Sequence, residues 1–227
     1  LNLSAEEIGH DECAASAGDL PNFFYTLSLG QEFAELVWLD GLPLGSFLRE
    51  LVREGLVTEA QAAAWTEGCD GVGFRCLPMG WSWAPAIAQR VLEWLLERAG
   101  ESEEGRLRHG SAAAVMTREK GASMAYIDDF SLVAVDTDAQ AATQQAGQRL
   151  SRVREVLAEA GLGCHKEQLG RRIGSLGFVL DLEAKRCEPE PAKLERLVCG
   201  TRALLRRKSV KPRHVSVVAG HWAWMFT

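Results

Sequence analysis

The feature that most constrains this chain is a pair of adjacent acids set between two apolar runs. Met124-Ala125-Tyr126-Ile127 leads in, Phe130-Ser131-Leu132-Val133-Ala134-Val135 leads out, and Asp128-Asp129 stands at the break with no Lys, Arg or His in the stretch. Short apolar runs around a tight polar break predict a β-hairpin, with both acids at or beside its turn. Neighbouring carboxylates repel, and each is pushed toward its protonated form unless a cation lies between them. Aspartate is equally at home in an ordinary solvated turn. The hairpin therefore admits two uses, a plain turn or a divalent-metal site, and the rest of the chain has to decide between them.

At 227 residues, 47% hydrophobic and 25% charged, the chain can bury a full core and hold one domain or one and a part. No apolar run approaches the roughly 20 residues that span a bilayer, and no basic-then-apolar leader opens the sequence. An intracellular protein, of cytoplasm or nucleus, with no membrane partner is the expectation. The chain begins at Leu1 and ends at Thr227 just after Trp222-Ala223-Trp224-Met225-Phe226, which reads as an internal piece of a longer protein. The net charge of −6 is unevenly spread: residues 1–150 carry −13 and residues 151–227 carry +7. A basic last third is compatible with a phosphate-backbone partner, although basic helices are commonly just solvated faces. Cys13, Cys69, Cys76, Cys164, Cys187 and Cys199 show neither a CxxC pair nor structural-zinc spacing and are expected to be reduced and structural.

Residues 1–18 are polar and acidic and end in Ala14-Ala15-Ser16-Ala17-Gly18. Asp19 then precedes the aromatic cluster Phe23-Phe24-Tyr25, whose content through Leu29 suits a strand or a turn leading into a helix. Residues 30–70 read as helical: Phe47, Leu48, Leu51, Val52 and Leu56 recur at helix spacing, and Thr58-Glu59 looks like a second helix start. Between residues 71 and 85 Gly and Pro force a shaped loop, Leu77-Pro78-Met79-Gly80-Trp81-Ser82-Trp83-Ala84-Pro85, and Pro85 opens a helix ending at Gly100. Residues 101–120 read as an exposed charged loop. A long amphipathic helix from Asp138 to Ala160 follows the hairpin, then a strand over Ser175–Leu180, and helices over 191–207 and 212–226. Strands interleaved with helices around an antiparallel hairpin predict an α+β fold, a sheet with helices on one face.

In that order the pieces resemble the palm of a reverse transcriptase from retrotransposons and retroviruses. Asp19 with its trailing aromatics resembles motif A, Leu77 to Pro85 resembles motif B, and Tyr126-Ile127-Asp128-Asp129 matches the YxDD box. Gly161-Leu162-Gly163-Cys164-His165-Lys166 followed by Leu176-Gly177-Phe178 resembles motifs D and E. The resemblance implies a palm over residues 1–182 with a helical insertion at about 30–70, then a basic connection and the start of a thumb over 183–227. The fingers would be missing and the thumb truncated. It implies RNA-directed DNA polymerase activity with two Mg²⁺ ions, for which Mn²⁺ can substitute. Asp19, Asp128, Asp129 and the Leu20 carbonyl would hold the metals, and Lys166 would be the general acid for pyrophosphate. Phe24 would be the sugar gate that favours deoxynucleotides, with Met79, Gly80 and Tyr126 also at the nucleotide and Pro78 and Trp81 at the template and primer. The partners implied are an RNA or DNA template with its primer, and deoxynucleoside triphosphates. Met79 stands where such enzymes often carry glutamine, and a thioether donates no hydrogen bond. Two alternatives stay open: a catalytically degenerate palm that binds nucleic acid or protein, and an RNA-dependent RNA polymerase palm.

Overall fold

The computed structural model describes residues 11–37, 39, 42–69, 71–108, 110–111 and 116–226. The first ten residues of the acidic N-terminal stretch, and Trp38, Asp40, Gly41 and Asp70 of the expected insertion, lie outside the described residues. The chain divides into two compact units, one of Leu1–Pro21 with Val91–Thr227 and the other of Asn22–Arg90.

The first unit is an α+β assembly of two antiparallel sheets. Strands β1 (Glu12–Asp19), β2 (Ala122–Tyr126), β3 (Asp129–Asp136) and β4 (His165–Gly170) form a sheet in the order β2-β3-β1-β4. Strands β5 (Arg172–Ser175), β6 (Phe178–Asp181) and β7 (Arg186–Pro189) form a three-stranded meander. The predicted hairpin is β2–β3, and its central neighbour is β1.

β1 was not foreseen as a strand, because alanine, serine and glycine have poor strand propensity. Packing overrides that preference, and side-chain alternation shows how. One face of β1 sends Cys13, Ala15 and Ala17 into a cluster with Val133, Val135, Ile173, Leu180 and Leu182, which joins the two sheets. The other face presents Ala14, which with Ala134 of β3 meets Ala142 and Ala146. Those two alanines belong to the long helix Ala139–Glu159, and the Ser16 hydroxyl donates to the Ala146 carbonyl at 3.1 Å. Only small residues on strand and helix allow so close a seam. That helix begins where the sequence predicts, with Asp138 capping the amides of Gln140 and Ala141.

The stretch at 101–120 also departs from expectation. Glu101, Arg106 and Met116 are buried rather than exposed. Arg106 pairs with Glu97 at 3.0 Å, and Arg149 of the long helix pairs with Glu101, so burial of these charges is compensated.

In the second unit, numbering helices along the chain, α1 (Phe23–Thr26) is a single turn, followed by α2 (Gln31–Ala34), α3 (Leu44–Arg53) and α4 (Glu59–Gly68). Thr58 and Gln61 close a capping box at the start of α4. The chain after α1 runs antiparallel to residues 75–77, with a bridge between Ser28 and Cys76 and a 2.9 Å hydrogen bond from the Leu77 amide to the Leu27 carbonyl. Helix α5 (Ala84–Arg98) crosses the division between units; α6 is the long helix Ala139–Glu159, and α7 (Pro191–Leu205) and α8 (Pro212–Phe226) complete the first unit. None of the described helices is long and apolar enough to cross a membrane.

Candidate active site

The register of β1 against β3 decides the site. Asp19, the last residue of β1, lies directly opposite Asp129, the first of β3. Opposed residues on antiparallel strands share a face with Cβ atoms about 4.5–5.5 Å apart, and like charges so placed repel. Asp128 precedes Asp129 in the turn, so acids from two distant parts of the chain meet at one end of the sheet. The electrostatics follow. Burial first, then the charges of Asp128 and Asp19, push the Asp129 carboxyl above the ordinary aspartate range, while Lys166 and Lys193 pull it back.

The hairpin turn is tight. Tyr126 pairs with Asp129, leaving Ile127 and Asp128 as the two turn residues. Ile127 has φ 60°, while Asp128 is not in the left-handed region, the pattern of a type II′ turn whose first position favours glycine. A β-branched residue there costs on the order of 1–3 kcal/mol, strain of the kind that collects at functional sites. The Leu20 amide ties the end of β1 to this turn by donating to the Asp128 carbonyl at 2.9 Å, and the Leu20 side chain is buried.

Lys166 reaches the same acids through an irregularity in β4. Ala17 pairs with Gln168 and Asp19 with His165, so β4 carries one residue more than β1 over this interval. Lys166 sits in that bulge with φ 47°, and its ammonium donates to Asp19 Oδ2 at 2.9 Å. Bulges commonly re-aim a side chain in this way. The hydrogen bond to Asp19 holds the ammonium above its usual pKa. The other oxygen, Asp19 Oδ1, is buried and has no hydrogen-bond partner among the described residues.

Asp19, Tyr126, Asp129 and Lys166 border one cleft of about 900 Å³ between the two sheets of the first unit. The same cleft is lined by residues the sequence had not marked: Ser131 and Ser175, whose hydroxyls share a hydrogen bond of 2.8 Å, and Lys193 and Trp224. The Trp224 ring packs on Phe178 with centroids 4.8 Å apart, and the Lys193 ammonium lies 6.0 Å over it. A lysine and a tryptophan on two late helices carry no local pattern, so only the fold could reveal them. Cys164 backs onto β1, where burial pushes its thiol up to about 11, and all six cysteines are free.

The remaining expected site residues belong to the second unit. Phe24 lies on α1 and is half-buried. Pro78 to Trp81 form a turn closed by the Trp81 amide on the Pro78 carbonyl at 3.3 Å. Gly80 takes its third position at φ 101°, as a type II turn requires. Met79 is exposed at its crest, and Pro78 and Trp81 are half-buried.

The donor chemistry at the end of the first sheet suits a hard divalent ion: carboxylate oxygens, with one buried oxygen unpartnered. Among the described residues no three acid, histidine or cysteine side chains close into a finished cage. Mg²⁺ does not need one, since it takes one or two carboxylates and fills its shell with water and substrate phosphates.

The fold that carries these acids is α+β, built of antiparallel sheets with helices packed on them. No protein-family model matches the chain, and no characterised protein matches its sequence. Comparison of folds finds 38 matching chains of solved structure. One is the foamy viral protease–reverse transcriptase in complex with an RNA/DNA hybrid, at a TM-score of 0.51 and 13% identity over 93% of the present chain. The present chain spans 21% of that viral chain, and the likeness is one of fold alone.

Proposed function

We propose that the chain is the palm of an RNA-directed DNA polymerase, residues 1–182, followed by the start of a thumb over 183–227. The observation that supports it best is the register that opposes Asp19 to Asp129 beside Asp128, at the rim of a cleft, in a fold like that of a reverse transcriptase. In this proposal Asp19, Asp128 and Asp129 hold two Mg²⁺ ions, with the Leu20 carbonyl as a further ligand. When bound, the ions supply charge neutralisation at the attacking and leaving oxygens of phosphoryl transfer.

The chain's own groups do the rest. The strained turn at Ile127 and the Leu20–Asp128 hydrogen bond fix the acids before substrate arrives, so little reorganisation is needed at reaction. Lys166, a protonated ammonium at the site, donates a proton to the departing pyrophosphate. Phe24 excludes a 2′-hydroxyl, Tyr126 lies at the primer end, and Met79 and Gly80 shape the nucleotide floor beside Pro78 and Trp81 at the template. An RNA or DNA template with primer, and deoxynucleoside triphosphates, are the partners.

Primer extension by the longest natural protein containing this chain tests the proposal, with oligo(dT) on poly(rA) and Mg²⁺. Extension should occur with deoxynucleotides and be abolished by Asp128→Asn. Extension that survives Asp128→Asn overturns the metal assignment. Binding of the hybrid without extension favours the degenerate palm, and extension with ribonucleotides alone favours an RNA polymerase.

A further inference from the structure

Lys166 does more in this structure than wait beside a leaving group. Its ammonium is already bonded to one oxygen of Asp19, the acid proposed to hold metal, while the other oxygen is buried and unpartnered. Resting on the proposed metal site, we infer that Lys166 is a resident counter-ion that competes with divalent cation for Asp19.

Three features carry this. The bulge in β4 inserts one residue, and the lysine occupies the left-handed region that lysine rarely adopts, yet its side chain still returns to Asp19. Asp19 and Asp129 are opposed on neighbouring strands, so an uncompensated cluster would repel itself, and the ammonium relieves that repulsion. The Lys166 side chain is 81% exposed while that of Asp19 is 14% exposed. A long solvated stem can therefore swing away from a carboxylate that stays fixed, and departure of the ammonium needs no movement of the sheet.

Cation binding would then be an exchange in which Asp19 gives up the ammonium to a divalent ion, and its buried Oδ1 has no hydrogen bond to lose. The freed ammonium is left at the rim of the cleft, where it can meet an anionic phosphate. Phosphate that draws Lys166 off Asp19 favours metal, and metal that displaces Lys166 favours phosphate, a reciprocal coupling.

The test is Mn²⁺ binding to the metal-free protein, followed by loss of the free-ion electron paramagnetic resonance signal. Lys166→Gln and Lys166→Met should each tighten binding by about two- to fivefold, the factor that loss of a competing exposed ion pair releases. Lys166→Arg should bind as the natural protein does. In an Asp19→Asn background, which itself should weaken binding, Lys166→Gln should tighten binding by clearly less than it does with Asp19 present, since the hydrogen-bonded competition is for Asp19. If both neutral variants bind Mn²⁺ no more tightly while Asp19→Asn and Asp128→Asn weaken it, the competition is refuted and the metal site stands. If Asp19→Asn and Asp128→Asn leave binding unchanged, the metal site itself falls, and the competition with it.

Discussion

Replacing Arg149 by methionine should be among the most damaging changes available in this chain, although the residue lies far along the hairpin from the acids. The guanidinium projects from α6 with 7% of its side chain exposed and meets Glu101, 5% exposed. Nε donates to Glu101 Oε1 at 3.0 Å and Nη2 to the Ala122 carbonyl at 3.0 Å, and further bonds reach Glu101 Oε2 and the Val133 carbonyl. Ala122 and Val133 are the paired residues at the open end of the β2–β3 hairpin whose other end carries Asp128 and Asp129. Methionine fills much of the volume but leaves a buried carboxylate without its cation and removes a donor from both carbonyls. Breaking a buried pair in this way costs about 3–5 kcal/mol. Against a total stability of about 5–15 kcal/mol, that is a large share. With a urea slope of about 1–3 kcal/mol per molar, the midpoint should fall by at least roughly 1 M. The assay is urea unfolding followed by circular dichroism, with hydrogen exchange of the β2 and β3 amides to localise the loss. The double variant Arg149→Met with Glu101→Leu removes both charges, and it should recover much of the stability that the single change loses. A cost below about 1 kcal/mol for Arg149→Met, or a double variant no better than the single one, would refute the account of this pair.

Two further perturbations probe the acids themselves. A Cβ added at Gly18 would lie 2.6 Å from Cys164 Sγ and 2.9 Å from Phe130 Cζ, so Gly18→Ala should destabilise by about 1–3 kcal/mol. Adding Cys164→Ala should restore only part of the loss, because the Phe130 ring remains in the way; wild-type stability for Gly18→Ala would contradict the packing. Asp129 is held above its unfolded pKa, so between the unfolded and folded values the native state binds more protons and stability falls as pH rises. In chelator, Asp129→Asn should therefore melt above the natural protein at neutral pH, and the two should converge below about pH 3.9. A variant less stable than the natural protein at pH 7 would contradict the repulsion.

The parts legible without coordinates are those whose cause is local. The hairpin could be read because apolar runs and a two-residue break lie next to each other in the chain, and α6 because Asp138 caps it and its apolar spacing repeats. The shaped loop around Pro78 and Gly80 is likewise a matter of each residue's permitted backbone. β1 was hidden because its reason to be a strand lies elsewhere, in Ala142 and Ala146 across the seam and in β3 more than a hundred residues on. The order of motifs resembling a reverse transcriptase palm grouped Asp19, Asp128, Asp129 and Lys166 in the sequence, but not the contacts among them. No short-range pattern states that Asp19 will face Asp129, that a bulge will bring Lys166 onto Asp19, or that Lys193 and Trp224 will wall the same cleft.

By itself, then, the sequence settled the local pieces: an acidic turn between two apolar strands, a long amphipathic helix, a loop shaped by Gly and Pro, and an α+β alternation of elements. The three-dimensional packing settled which acids share a face, which carboxylate oxygen meets a cation and which lies buried without a partner. Backbone preference acts over a few residues, whereas register, burial and charge pairing arise only when distant segments close on one another.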